Sequence, residues 1–145
     1  VTLPEEQFSF IQSACSKADA LLEEGTREST VNAFRGYAGA LAELPEPTHS
    51  WHAAGWILSR MGECYFRIGS FEQAQDLYAD LMWHPGAIGN PWIHLRKGQI
   101  NFELGEMDKA GGELIRAYMG GGKDIFSLED PKYYEYLKTV AEGLE

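Results

Sequence analysis

Few side chains in this chain are placed to do chemistry. His49 and His52 stand three residues apart in HSWH. Near a helix start, that spacing can offer two imidazoles to one metal ion. No Glu lies between them, as in the helix of a zinc protease, and no third ligand is indicated. His84 precedes Pro85 and reads as a turn residue. Cys15 and Cys64 each sit in an apolar, helix-like stretch with no base nearby. They form neither a disulfide framework nor a paired metal motif. They read as reduced core thiols. GGGKD, residues 120–124, lacks the spacing and the preceding strand of a phosphate-binding loop, and reads as a helix stop. Carboxylates are plentiful, as expected of solvated faces in an acidic chain. The residues therefore indicate no catalytic group, metal ligand or cofactor. The rival reading is a metal-dependent enzyme built on His49, His52 and an acidic residue.

The chain has 145 residues, 44% of them hydrophobic, which is enough for one domain with a real core. Its formal net charge is −10, from 22 acidic and 12 basic residues. A net negative surface repels nucleic acid and anionic membranes and suits a basic protein partner. No apolar run approaches the ~18 residues of a membrane span. No signal peptide is visible, and the expected setting is cytoplasmic. The chain opens on Val1, not Met, which leaves room for residues upstream.

Apolar spacings of three and four predict seven helices and no strand. The first runs from Pro4 to Glu24, with Phe8, Ile11, Cys15, Ala18 and Leu22 on one stripe, a Thr2 cap and a stop at Gly25. The second runs from Glu28 to Leu44, ended by Pro45 and Pro47. A third from about Ser50 to Ile68 breaks at Gly69, and Ser70 is placed to cap a fourth from Phe71 to about Trp83. Pro91 opens a fifth that ends near Leu104, and a sixth covers Met107 to about Met119. Asp130-Pro131 opens the seventh, to about Glu142. Gly111-Gly112 sits early in the sixth helix, where Gly is costly, which points to close approach of a neighbouring helix or a ligand.

Two stretches repeat. WILSRMGECYFRIGSFEQAQ begins at Trp56 and WIHLRKGQINFELGEMDKAG at Trp92. They share Trp56/Trp92, Ile57/Ile93, Arg60/Arg96, Gly62/Gly98, Phe66/Phe102, Gly69/Gly105 and Ala74/Ala110, each pair 36 residues apart. Self-similarity at that period in a helical chain signals a helical-hairpin repeat, whose units bury their apolar faces on their neighbours. The hairpins resemble tetratricopeptide repeats. The fuller copy has Leu58, Met61-Gly62, Tyr65, Ala74, Tyr78 and Pro85. The next keeps Gly98, Ala110, Leu114 and Ala117, and departs at Lys97 and Asn101. The first hairpin shows only the second half of the pattern, in Ala33, Tyr37, Ala40 and Pro45. The resemblance implies a single all-α domain over residues 1–145. It would be a TPR-like α-solenoid of three helical hairpins (about 4–44, 50–83 and 91–119) plus a C-terminal capping helix, about 131–143. More narrowly, LMWHPGAIGNPWIHLRKGQINFELG is similar to small bacterial proteins of this type associated with toxin gene clusters, which implies an immunity-like or adaptor role.

In this family the first helix of each hairpin lines a groove for peptides or protein segments. Carried over by spacing, the resemblance implies partner-binding positions at Trp56, Ser59, Glu63, Phe66 and Arg67, then Trp92, Leu95, Gln99, Phe102 and Glu103. Each set steps by three or four, so each shares one helix stripe. An exposed aromatic row flanked by charge has the character of a binding hot spot. The competing account is that the Tyr-rich last helix or the loop after Pro85 folds over the stripe and makes it core. The Lys, Arg and Asn clamp of the chaperone-binding subclass is absent, since the matching positions hold Ser59, Glu63 and Gln99. The expected function is a non-catalytic protein–protein interaction module that holds a protein or peptide partner of basic character. The alternative within that class is a self-associating structural protein.

Overall fold

A computed structural model describes residues 3–144 and, at His49, the backbone alone. Seven α-helices and no strand occur among the described residues. The chain divides into two compact units, Val1–Pro85 and Gly86–Glu145.

The first unit holds α1 (Glu5–Glu24), α2 (Arg27–Ala42), α3 (His52–Arg67) and α4 (Phe71–Leu81). Glu5 and Glu6 in the first turn of α1 oppose the positive end of its dipole. The Thr2 cap expected for this helix lies outside the described residues, and Pro4 occupies the cap position. Gly25 closes the helix in the left-handed conformation, at φ 75°. Thr26 and Ser29 then form a capping box on α2. The Ser29 N–H donates to Thr26 Oγ1 at 2.9 Å and the Thr26 N–H donates to Ser29 Oγ at 3.0 Å. Between α2 and α3 a 3-10 turn spans Thr48–Ser50, and the Trp51 indole N–H donates to the Pro45 carbonyl at 2.8 Å. Two prolines and this turn set the start of α3 at His52, two residues later than the apolar spacing alone places it. Ser70 makes no side-chain cap on α4, contrary to expectation; its ψ of 67° lies outside the extended range usual for an N-cap.

The helices of this unit pack in chain order, α1 on α2, α2 on α3 and α3 on α4. Ile11, Cys15, Ala18 and Leu22 of α1 meet Ala33, Tyr37 and Ala40 of α2 and Ala54, Ile57, Met61 and Cys64 of α3 in one core. Within the α3/α4 hairpin, Gly62 lies so close to Tyr78 that a Cβ there would come within 2.5 Å of the ring.

The second unit holds α5 (Pro91–Glu103), α6 (Met107–Gly121) and α7 (Pro131–Val140), with a 3-10 turn at Lys123–Phe126. Asn90 caps α5, its Oδ1 accepting from the Trp92 N–H at 3.0 Å, and Pro91 fills the first position as its missing donor allows. Asp130 and Pro131 repeat the device on α7. The α5/α6 hairpin reproduces the close approach of α3/α4. A Cβ on Gly98 would lie 2.7 Å from Leu114 Cδ2, as far along the chain as Gly62 is from Tyr78. The equivalence of the two hairpins is therefore geometric as well as textual.

α7 packs on α6, and the 3-10 turn touches α5, α6 and α7. Gly111 faces α7, where its hypothetical Cβ would be 3.4 Å from Val140 Cγ2, so the first glycine of the Gly-Gly pair admits that helix. Gly112 has open space around it. Tyr136 fixes the same contact by donating from its hydroxyl to the Met107 carbonyl at 2.8 Å.

Candidate partner-binding surfaces

The five positions on α3 have different fates. Trp56 is 45% exposed. One side of its indole meets the edge of Tyr37 at a centroid distance of 6.1 Å, and the Arg60 guanidinium lies 5.6 Å from the ring centre. Arg60 Nε is 3.8 Å from Asp19, and the Tyr37 hydroxyl donates to the same carboxylate. Burial pushes the Tyr37 phenol well above its ordinary range, the Asp19 hydrogen bond adds to this, and Arg60 opposes it. Trp56 thus rests on a polar group drawn from α1, α2 and α3. Ser59 donates to the Trp56 carbonyl at 2.7 Å. Arg67 pairs with Glu63 at 2.8 Å and donates to the Leu22 carbonyl at 3.2 Å, serving a carbonyl in the last turn of α1. Phe66 packs edge-on to Phe71 at 5.8 Å.

The matching stripe on α5 is largely closed. Trp92 is 61% exposed, but Leu95 and Gln99 are wholly buried. These two are corrected from groove lining to interior. The reason is a cover built from residues after α6. Gln99 Nε2 donates to Glu129 Oε1 at 2.8 Å, while Arg96 donates to Gln99 Oε1 at 2.6 Å and pairs with Glu129. Phe102 lies between Tyr133 and Tyr136, with centroids 5.4 and 5.6 Å away. Glu103 takes a hydrogen bond from Tyr133 at 3.0 Å and an ion pair with Lys132 at 2.8 Å. Burial, then the Glu103 bond, raises the Tyr133 phenol above its ordinary range, and the same carboxylate raises Lys132. The Tyr-rich last helix thus covers Phe102 and Glu103, as the competing account expected, and Glu129 just before it closes over Gln99.

Sequence reasoning missed Trp83, the most exposed tryptophan at 85%. Its signal was legible. The inner face of α4 is Ala74, Tyr78 and Leu81, and Trp83 is off that stripe.

The described histidines do not assemble. His52 is exposed, His84 and His94 are buried, and the side chain of His49 lies outside the described residues. The Gly89 N–H donates to His94 Nε2 at 3.0 Å, which leaves Nδ1 to donate to Glu113 at 2.7 Å. Among the described residues no three His, Cys, Asp or Glu side chains converge as metal ligands. Cys15 and Cys64 are buried free thiols, and burial pushes Cys64 up to about 11. No described helix is long and apolar enough to cross a membrane. No family model, curated protein or solved structure matches the chain.

Proposed function

We propose that the chain is a non-catalytic module that binds a protein or peptide of basic character. The observation that carries this reading is the pair Trp56 and Trp92. They occupy equivalent places in the repeat, one in each unit, and both stay exposed while residues one turn further on are buried or paired. Large exposed aromatics of this kind are the usual anchors of interfaces. The net charge of −10 sets the sign of the partner. The tetratricopeptide resemblance, and the narrower one over residues 81–105, favour an immunity-like or adaptor role.

The test is affinity capture from lysate with wild type beside a Trp56→Ala, Trp92→Ala double variant of unchanged helicity. Captured proteins are identified by mass spectrometry and re-measured as pure components. A specific partner held by wild type and lost by the variant is the expected result. A partner held equally by both removes the tryptophans from the interface, and no specific partner overturns the reading.

Self-association is the second reading, favoured by Met119, Leu128 and Val140 of the second unit, apolar side chains that are 80%, 95% and 46% exposed. Light scattering that shows a monomer at micromolar concentration overturns it.

A further inference from the structure

The first unit contains an open cleft of about 660 Å³ that the repeat pattern does not point to. It lies between the α2–α3 connection and the end of α4. Leu41, Leu58 and Trp83 give it apolar walls, and Glu46 and Asp80 bring two carboxylates to it. Both carboxylates are on exposed residues, and neither has a cationic partner among the described residues. Glu46 Oε2 accepts from the Thr48 N–H at 3.3 Å, which fixes it to the turn beside the cleft. Residues 1–85 hold 12 of the 22 acidic residues and only 5 of the 12 basic ones. Glu72, Asp76 and Asp80 are exposed at four-residue intervals along α4, so negative charge leads up to the cleft.

Apolar walls, two carboxylates without cationic partners among the described residues and an exposed indole suit a cation on an aliphatic stem. Arginine fits better than lysine. Its planar guanidinium stacks on an aromatic face while its edge donates to carboxylates, and its methylenes cover apolar surface. We propose that this cleft receives an arginine side chain of the bound partner, with Glu46 and Asp80 facing the guanidinium, Trp83 stacking on it, and Leu41 and Leu58 taking its stem. The proposal rests on the protein-binding reading above and names the chemistry that the first unit selects.

The test titrates isotope-labelled protein with acetyl-Ala-Arg-Ala-amide and with the same peptide carrying uncharged, near-isosteric citrulline, read by NMR. The arginine peptide shifts the Trp83 indole N–H and the Thr48 amide to saturation, and the citrulline peptide binds at least about five-fold more weakly. Glu46→Gln and Asp80→Asn each weaken arginine binding by about two- to five-fold, the range of solvent-exposed ion pairs. Glu24→Gln, an exposed acid at the end of α1, leaves it unchanged. Equal binding of both peptides, no change in Glu46→Gln and Asp80→Asn, or an equal loss in Glu24→Gln overturns the arginine site. Capture of a partner by wild type and equally by the Glu46→Gln, Asp80→Asn double variant overturns the site but leaves the interaction reading standing. Failure of wild type to bind any protein removes that reading, and the peptide titration still decides the cleft.

Discussion

Adding one methyl group at Gly98 and at Gly112 should move stability in opposite directions, although both are helical glycines of the second unit. In α5, a Cβ on Gly98 would lie 2.7 and 2.8 Å from Leu114 Cδ2 and Cγ and 3.1 Å from the Leu114 backbone nitrogen. A rotamer change moves the first two atoms but not the third, so α6 itself must give way. Overpacking of this kind costs about 1–3 kcal/mol, against a helix-propensity gain of up to about 1 kcal/mol for Gly→Ala. Gly98→Ala is therefore expected to lose about 1–2 kcal/mol. At Gly112, in the interior of α6, nothing lies within 4 Å of the new Cβ. Only the propensity term acts there, and Gly112→Ala gains about 0.5–1 kcal/mol. The assay is urea unfolding followed at 222 nm, with the two variants and wild type compared at matched slope. A Gly98→Ala protein as stable as wild type would refute the close packing of α5 on α6, and with it the geometric equivalence of the two hairpins.

Gln99→Ala should cost about 1–3 kcal/mol, because it breaks the buried Arg96–Gln99–Glu129 group, and a loss under 0.5 kcal/mol by urea unfolding would deny that group. Trp92→Ala, at an exposed position, should stay within about 0.5 kcal/mol of wild type in the same assay; a larger loss would make it a packing residue. The Cys64 thiol, pushed from near 9 to about 11 by burial, holds its proton more tightly folded than unfolded. Its contribution is therefore complete below pH 9 and fades as pH rises through 11. Stability should fall over that window and fall less steeply in Cys64→Ala; identical slopes would contradict the burial. Thr26→Ala should lose about 1 kcal/mol with the capping box of α2, and an unchanged unfolding midpoint would count against that cap.

Much of the fold was legible because helix stripes and helix stops are local. Ile11, Cys15, Ala18 and Leu22 announced α1, and Gly25, Gly69 and Gly105 do end helices with positive φ. The shared Gly62/Gly98 pair marks the two close crossings of α3 on α4 and of α5 on α6. The Thr26–Ser29 box is a weak signal in the sequence, since the usual second member of a capping box is Glu or Gln. What spacing could not supply was cover. Leu95 and Gln99 share a stripe with Trp92, and their burial depends on Glu129, some 30 residues further on. The cleft at Trp83 is equally non-local, assembled from α2, the turn before α3, α3 and α4.

Cover also bears on why both copies keep a tryptophan. If the repeat only conserved packing, the shared residues would be those that the fold buries, and Ile57/Ile93, Gly62/Gly98 and Ala74/Ala110 are buried in both copies. Trp56 and Trp92 are not. On α5 the lid formed by Glu129, Tyr133 and Tyr136 reaches Gln99, Phe102 and Glu103 but leaves the first turn open. On α3 no comparable lid is seen among the described residues of the first unit, yet Glu63 and Arg67 still pair with each other and Trp56 still projects. Two stripes with different cover thus expose the same residue type at the same place. Packing on Tyr37 and Arg60 accounts for one side of the indole at Trp56 and leaves the other open, and that open side, repeated at Trp92, is what the proposed partner contact would use.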